Sequence, residues 1–261
     1  MIKNEIKKIG LLDSGVGGLS VLARLYEKMP DKDYLFYGDT KNVPYGTKTP
    51  KQILSYTTKI LEFFITKGVD SVAIACNTTS ALAYEDLKEK FKNELKIFPL
   101  IQTAAPSAVE GLSNDDTIVV FATYATVNSH KYKEEIQKIN PKINVVECDC
   151  TGFVEIVENR LYNEQSSIDL IKSKLEIAKE KNAKRIILGC THYPYLVNIF
   201  KRYFDTDYFD PAISLAKLIK SKTETINKKA NCEFYVSKDP ENFKLSAKMF
   251  FDVENIELVE L

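Results

Sequence analysis

The feature that most constrains the fold is an apolar run that ends abruptly in a polar turn, at residues 185–194. Its Ile-Ile-Leu core has the short, buried pattern that is typical of a strand. Gly189 permits a sharp exit, and Pro194 lacks a backbone N–H, so the strand cannot continue through the turn. We therefore expect Cys190 and His192 at the carboxyl end of a strand, where ligands bind in open α/β sheets.

A second stretch has the same organisation. The apolar, β-branched run 71–75 ends in Cys76, Asn77 and Thr78, and the residues after it have a helical pattern. The two thiols lie 114 residues apart, each just past a predicted core strand. These matching positions suggest that both cysteines face one cleft.

Strands followed by polar turns recur along the whole chain, with turns at residues 13, 39 and 76 and again at 123, 150 and 190. Strands that alternate with helices of ordinary length favour parallel sheets with right-handed crossovers. We therefore predict an α/β fold of two similar lobes, each a mostly parallel sheet flanked by helices. A pseudo-twofold axis would relate the lobes, with the active site in the cleft between them. The first lobe would comprise residues 1–101 plus 210–261, and the second residues 102–209.

The intervening patterns predict the remaining elements. Predicted helices lie at 20–28, 50–67, 80–91, 153–161, 168–181, 195–204 and 243–251. A further helix is predicted in the stretch that ends near Asn227. Strand-like runs at 232–236 and 256–261 flank the last helix. The glycine-rich turn after the first strand could bring backbone N–H groups to an anion, or could be a simple turn capped by Asp13 or Ser14.

Composition excludes several classes of protein. The chain has 261 residues, 44% of them apolar, and 36 basic residues balance 36 acidic ones. This balance gives no global field to attract nucleic acid or an anionic membrane. No apolar run approaches the roughly 18 to 20 residues of a membrane span. No signal-peptide core follows the first five residues, so we expect a cytoplasmic protein.

The cysteine content argues against disulfides and metal. Five cysteines are an odd number in a chain without a secretory signal, so reduced thiols are expected. Cys148 and Cys150 form a Cys-x-Cys pair, but only two histidines are present and no second close pair of ligands accompanies it. We expect neither a metal site nor a cofactor.

Paired thiols on opposite sides of a bound molecule suit a two-base reaction. One thiolate removes a proton from a carbon atom and the opposite thiol returns one to the other face, which inverts configuration. A thiol at a junction between loop and helix can have a lowered pKa. Asp13, Glu158 and His192 could tune or carry the protons.

Several motifs together resemble the glutamate racemases, which make D-glutamate for bacterial peptidoglycan without a cofactor. The motifs are Asp13-Ser14-Gly15-Val16-Gly17-Gly18-Leu19, Gly38-Asp39 with Pro44-Tyr45-Gly46, Ala75-Cys76-Asn77-Thr78, Thr123-x-x-Thr126 and Gly189-Cys190-Thr191-His192-Tyr193-Pro194. They occur in order over nearly the whole chain, and the paired Cys-Asn-Thr and Cys-Thr-His are more specific than the glycine turn.

The resemblance implies that Cys76 acts on D-glutamate with help from Asp13, and that Cys190 acts on L-glutamate with help from His192. It also implies a set of substrate-binding residues, namely Asp13, Ser14, Tyr45, Gly46, Cys76, Asn77, Thr78, Thr123, Thr126, Cys190, Thr191 and His192. Hydroxyls, an amide and backbone N–H groups can hold a dianionic amino acid without a basic pocket. A homodimer is expected from the resemblance and from base rates.

The sequence departs from the family pattern at four positions. Asn42 stands at a usual Arg, Thr79 at a usual Ala and Ala122 at a usual Gly. Glu155 stands at a usual Pro, which leads us to align Glu158, and not Glu155, with the acidic residue of the family.

Other functions stay open at this stage. A relative acting on aspartate or a hydantoin would share the two-thiol design. A thiol-redox or metal-binding protein could use the same cysteines, and a binding protein could retain the fold without turnover. A pyridoxal enzyme is disfavoured because no lysine stands in a recognisable cofactor setting.

Overall fold

The computed structural model describes residues 6–226 and 229–261, which form two parallel sheets with helices packed around them. The first five residues, behind which no signal-peptide core was predicted, lie outside this range. The strands are β1 Lys8–Asp13, β2 Asp33–Gly38, β3 Ser71–Ile74, β4 Lys96–Pro99, β5 Thr117–Ala122, β6 Asn144–Asp149, β7 Ala183–Gly189, β8 Asp207–Phe209, β9 Cys232–Val236 and β10 Ile256–Leu258.

The two sheets share one connectivity. The first has the order β10-β9-β2-β1-β3-β4 and the second β6-β5-β7-β8, with every neighbouring pair parallel. In each sheet the first strand of a consecutive four lies between the second and the third. The prediction of two parallel α/β units is therefore confirmed, and β1, β2, β3 and β4 correspond to β5, β6, β7 and β8.

Helices connect the strands and cover the sheets, as parallel crossovers require. They are α1 Leu19–Lys28, α2 Pro50–Thr66, α3 Asn77–Leu82, α4 Tyr84–Lys90, α5 Leu100–Val109, α6 Tyr124–Asn128, α7 Lys131–Ile139, α8 Phe153–Glu158, α9 Gln165–Glu180, α10 Val197–Tyr203, α11 Pro211–Ser221 and α12 Pro240–Ala247. Short 3-10 helices precede α1, α2 and α10, at Val16–Gly18, Tyr45–Thr47 and Tyr193–Leu196.

One apolar core runs across both sheets. Leu11 of β1, Leu22 of α1 and Leu215 of α11 belong to the same buried cluster as Val119 of β5 and Leu188 of β7. Each such side chain contributes about 1.5–3 kcal/mol through burial. The chain crosses from the first sheet to the second through α5 and returns through α11, and these two helices pack on each other. The lobe boundaries at 101/102 and 209/210 stay a prediction.

Strand register brings the polar turns together. Asp13 is level with Gly38 on β2, and the preceding Leu12 is level with Ile74 on β3. In the second sheet Ala122 is level with both Asp149 and Gly189. In each sheet the second strand lies on one side of the first strand and the third strand lies on the other side. The turns after the first and third strands therefore border a crevice.

The observed helices differ in their bounds from several predicted ones, and three of the differences have a clear structural cause. The helix predicted at 80–91 is two helices, α3 and α4, separated by Ala83 with φ −129°. The stretch predicted to end near Asn227, which lies outside the described residues, leaves the helical conformation after Ser221. There the amide of Ile226 donates to Asp31 instead of continuing the helix.

The last helix begins at Pro240 and ends at Ala247, earlier than the predicted 243–251. The Asp239 side chain accepts from the amide of Asn242, and proline occupies the first position, where its missing N–H costs nothing. Among the described residues no helix is both long enough and apolar enough to cross a membrane.

Candidate active site

The two thiols line one small cavity between the sheets. Cys76 follows β3 and precedes α3, and Cys190 follows β7, so the two residues occupy equivalent places in the two sheets. Both side chains are buried. The cavity has a volume of about 40 Å³. The two thiols, each of which can act as an acid or a base, therefore face the same small cavity.

The Cys76 thiol lies beside a buried carboxylate. Asp13 ends β1, and its Oδ2 accepts the amide of Gly18 at 2.6 Å. Burial raises the pKa of the Asp13 carboxyl, while His192, two backbone amides and a hydrogen bond from the Cys76 thiol oppose that shift. Burial, together with the charge of Asp13, raises the pKa of the Cys76 thiol to about 12. At neutral pH Cys76 is therefore a protonated thiol with a carboxyl group next to it.

The Cys190 thiol lies beside an imidazole. His192 Nδ1 is 3.7 Å from Cys190 Sγ, and His192 Nε2 is 3.0 Å from Glu158 Oε1. Burial lowers the pKa of His192, but the hydrogen bonds and charges of Cys190 and Glu158 outweigh burial and raise it to about 10. The imidazole is therefore protonated at neutral pH and connects the thiol to a partly exposed carboxylate.

Three threonine hydroxyls form a triangle at the cavity. Thr78 comes from α3, whereas Thr123 and Thr126 come from the turn after β5 and from α6. All three Oγ1–Oγ1 distances are 3.2 Å. Thr78 and Thr123 line the cavity, and Thr126 lies behind them, buried. Because a hydroxyl can both donate and accept, this cluster can reorient its protons toward an anionic ligand.

Asn77 presents an unused donor. Its Oδ1 accepts the hydroxyl of Tyr132 at 2.7 Å, which fixes the orientation of the amide. Its Nδ2 is buried and has no hydrogen-bond partner among the described residues. Asn77 lines the cavity. A buried N–H group without a partner is costly, so this amide is suited to a ligand acceptor.

The remaining lining is mostly neutral. The cavity is enclosed by residues from both sheets: Asp13, Ser14, Val43, Pro44, Tyr45, Gly46, Cys76, Asn77, Thr78, Thr123, Val154, Gly189, Cys190, Thr191 and His192. No lysine or arginine belongs to this described lining. Hydrogen bonds, and not a basic cluster, would have to hold an anion here.

A larger cavity of about 500 Å³ adjoins the small one. Pro44, Gly46, Thr123 and Val154 line both, so they form the wall between them. The larger cavity is also lined by exposed residues, among them Tyr124, so it is open to solvent.

The structure brings together nearly all the predicted site residues. Thr126 and Glu158 do not line the small cavity but contact residues that do. Glu155 lies on the exposed face of α8 and lines the outer cavity, so Glu158 is the acidic residue that contacts His192. Across the described residues, no group of three or more His, Cys, Asp or Glu side chains is arranged to hold a metal ion.

Sequence reasoning does not single out Tyr132 or Val154. Tyr132 lies in α7 and Val154 in α8, each within an ordinary amphipathic pattern, and each reaches the site only through the packing of its helix. For Val154 the one available signal is its place next to Glu155, a position that belongs to the family pattern.

Comparisons with known proteins show which family this chain resembles. A family model described as Asp/Glu/Hydantoin racemase matches residues 12–219. Glutamate racemase 2 of Caldanaerobacter subterraneus subsp. tengcongensis is 39% identical over 252 residues, with 94% of this chain and 93% of the relative covered. Glutamate racemase of Thermoanaerobacter sp. (strain X514) is 36% identical over 266 residues, covering 98% of each.

A solved structure agrees over the full length. The glutamate racemase from Francisella tularensis subsp. tularensis SCHU S4, in complex with D-glutamate, has a TM-score of 0.89 and 32% sequence identity, and 98% of each chain is covered. The fold and the relatives define an amino-acid racemase, which is an isomerase. The chain belongs to the Asp/Glu/Hydantoin racemase family.

Proposed function

We propose that this protein is a glutamate racemase that interconverts L- and D-glutamate by a two-base mechanism without a cofactor. The observation that carries the proposal is the pair of thiols, Cys76 and Cys190, on one enclosed cavity. The names of the similar proteins and the D-glutamate bound to the Francisella tularensis enzyme support glutamate as the substrate.

The proton balance follows from the two environments. For L-glutamate the Cys190 thiolate removes the Cα proton, and the Cys76 thiol delivers its own proton to the opposite face of the carbanion. Cys190 ends as a thiol and Cys76 as a thiolate, and the reverse reaction starts from that state. The raised pKa of Cys76, about 12, suits a group that first acts as an acid.

Neighbouring groups would reset the two thiols. His192 at neutral pH is an imidazolium 3.7 Å from the Cys190 sulfur, and this positive charge favours a thiolate there. When Cys76 has to act as the base, the adjacent Asp13 carboxylate can accept the thiol proton, because the pKa of that carboxyl is raised by burial. Asp13 is thus the proton partner of Cys76, and His192 acts on Cys190 through its positive charge.

Hydrogen bonds would hold the substrate. The Thr78 and Thr123 hydroxyls, the free Nδ2 of Asn77 and the backbone of the Tyr45-Gly46 turn surround the cavity and can bind carboxylates. Ser14 and Thr191 also line it, which completes the proposed binding set with Thr126 behind Thr78 and Thr123.

Substrate entry requires movement. A cavity of about 40 Å³ holds about one water molecule, far less than the ten non-hydrogen atoms of glutamate. The wall shared with the outer cavity, which includes Pro44 and Val154, therefore has to shift when substrate binds.

The cellular setting follows from the family resemblance. We propose that the enzyme supplies D-glutamate for peptidoglycan synthesis, works in the cytoplasm as a homodimer, and needs neither nucleic acid nor a membrane. The equal numbers of basic and acidic residues are consistent with that setting.

The test is chiral analysis of glutamate after incubation with the purified protein, a chelator and a reductant. The unmodified protein should bring L- or D-glutamate to equal amounts of both. Cys76→Ser and Cys190→Ser should each lower the rate by about 10²–10⁴-fold, the usual contribution of a general acid or base. Cys232→Ser is the matched control, because Cys232 begins β9 and does not line the cavity.

The alternatives give different results in the same assay. Interconversion of aspartate but not of glutamate would make the chain an aspartate racemase. Full activity of either Cys76→Ser or Cys190→Ser would contradict the two-base mechanism while leaving the racemase assignment intact.

A further inference from the structure

A buried carboxylate outside the cavity receives an unusual number of hydrogen bonds. Asp39 follows β2 and is nearly inaccessible to solvent, and it does not line the cavity. The Tyr45 hydroxyl donates to its Oδ2 at 2.6 Å, and the Ser237 hydroxyl donates to its Oδ1 at 2.8 Å. Asn42 Nδ2 lies 3.0 Å from both oxygens. Each of these donors needs an acceptor, and the two side-chain oxygens of Asp39 serve all of them.

Two of these donors belong to the turn that covers the site. Asn42 and Tyr45 flank Val43 and Pro44, and all but Asn42 line the small cavity. The Tyr45 side chain is buried, and burial, together with the charge of Asp39, raises the pKa of its hydroxyl far above the usual range. The hydroxyl therefore stays protonated and is the donor in its hydrogen bond to Asp39.

The turn reaches the second sheet. A Cβ on Gly46 would lie 3.3 Å from Thr123 Cβ, so the turn and the residue after β5 are in close contact. Thr123 belongs to the hydroxyl triangle and Gly46 lines both cavities. The position of the turn therefore affects the width of the small cavity on the side that faces the larger one.

The third donor links the turn to the C-terminal strands. Ser237 follows β9, and its Oγ also accepts the amide of Lys41 at 2.8 Å. Next to it, the amide of Lys238 donates to Thr40 Oγ1 at 2.9 Å. Hydrogen bonds thus join segments 39–42 and 237–238 around the side chain of Asp39.

We propose that Asp39 is a positioning residue that holds the Tyr45-Gly46 turn against the second sheet and so maintains the binding surface for the substrate. Asn42, at the family's usual Arg, supplies a neutral donor to the same carboxylate. The kinetic test of this proposal rests on the proposed racemase function. The position of the turn can be tested independently of that function.

The kinetic test is Asp39→Asn, which replaces one acceptor oxygen by an N–H group facing other donors. KM for glutamate should rise about tenfold, the loss expected from one hydrogen bond to a charged group. The kcat should change much less, because the proposed role of the turn is to bind the substrate and the thiols are untouched. Tyr45→Phe should raise KM in the same way, and the double variant should be no worse than Asp39→Asn alone.

The matched control is Asp70→Asn. Asp70 accepts the amides of Lys7 and Lys8 at the opposite end of the first sheet, at 2.8 and 3.0 Å. This variant should lose some stability with an unchanged KM. Ser237→Ala tests the C-terminal link without changing any residue of the turn or of the cavity lining, and it should raise KM by a smaller factor than Asp39→Asn.

Hydrogen exchange, measured by mass spectrometry on peptides covering 42–48, tests the position of the turn without any measurement of catalysis. Faster exchange there in Asp39→Asn or Tyr45→Phe, but not in Asp70→Asn, is expected even if glutamate proves not to be the substrate. Unchanged exchange in folded Tyr45→Phe, or a fall in kcat with unchanged KM, would overturn the positioning role. If Asp39→Asn does not fold, Tyr45→Phe and Ser237→Ala decide the question by the same measurements.

Discussion

At the scale of single residues, the two thiols differ in what surrounds them. Cys76 has a buried carboxyl group beside it, whereas Cys190 has an imidazole that continues to the partly exposed carboxylate of Glu158. The pair His192 and Glu158 therefore gives Cys190 a route toward solvent that Asp13, which is fully buried, does not give Cys76.

The prediction at this scale concerns Glu158→Gln. Removal of the carboxylate takes away one of the interactions that raise the pKa of His192 to about 10, so that pKa should fall. The imidazolium would then lose its proton at a lower pH, and the alkaline limb of kcat/KM should move to lower pH by the same shift. NMR titration of the imidazole signals measures the pKa directly, because the chain has two histidines and the other, His130, is exposed.

Glu155→Gln is the matched control for this change. Glu155 lies on the same helix with its side chain exposed, and it has no contact with His192. We expect the His192 pKa to stay in place. If Glu155→Gln shifts the pKa and Glu158→Gln does not, our alignment of the acidic residue is wrong.

At the scale of elements, the site is built from turns that follow strands, and this is the part that the sequence predicts well. An apolar run that ends in Gly-Cys-Thr-His or in Cys-Asn-Thr locates the end of a strand, and parallel pairing then brings these ends to one edge. The recurrence at residues 13, 76, 123 and 190 predicts where the site lies, and the resemblance to the glutamate racemases supplies the set of residues expected to line it.

What the sequence does not predict depends on packing between distant segments. Tyr132 reaches Asn77 across 55 residues, and Ser237 reaches Asp39 across 198. Neither contact has a local pattern, because each depends on how helices and strands pack around the two sheets. Helix ends were missed for a similar reason, as at Ser221, where tertiary contacts of the following segment replace the helical pattern.

The prediction at this scale concerns the 3-10 helix after β1. A Cβ on Gly17 would lie 2.4 Å from Thr191 Oγ1 and 2.5 Å from His192 Nδ1, so only glycine allows this helix to approach the turn after β7. Gly17→Ala should displace His192 and lower kcat/KM on the order of 10²-fold, as expected for a displacement of about 1 Å at a reacting group. The measurement is steady-state racemase kinetics.

Gly68→Ala serves as the control for Gly17→Ala. Gly68 has φ +71°, and a Cβ there would meet nothing within 4 Å. The change should therefore cost about 1–2 kcal/mol of stability through backbone strain and leave kcat/KM unchanged. Equal kinetics for Gly17→Ala and the unmodified protein would show that the close approach does not position His192.

At the scale of the whole molecule, two sheets of the same strand order each contribute one thiol to one cavity. The corresponding strands β3 and β7 carry them, so the internal similarity of the fold has a chemical counterpart. An amino acid bound between the sheets would expose one face of its Cα to each half of the molecule. Inversion of configuration then requires no rotation of the substrate and no cofactor.

The central claim, that each half of the molecule provides one base, is tested most directly by deuterium incorporation in D₂O. L-glutamate is incubated with the protein, a chelator and a reductant, and the enantiomers are separated at low conversion for analysis of the Cα position by NMR and mass spectrometry. We predict deuterium at Cα of the newly formed D-glutamate, with the remaining L-glutamate still carrying protium, and the mirror result from D-glutamate. Deuterium appearing equally in both enantiomers from the start would mean that one base serves both faces, which would contradict the account.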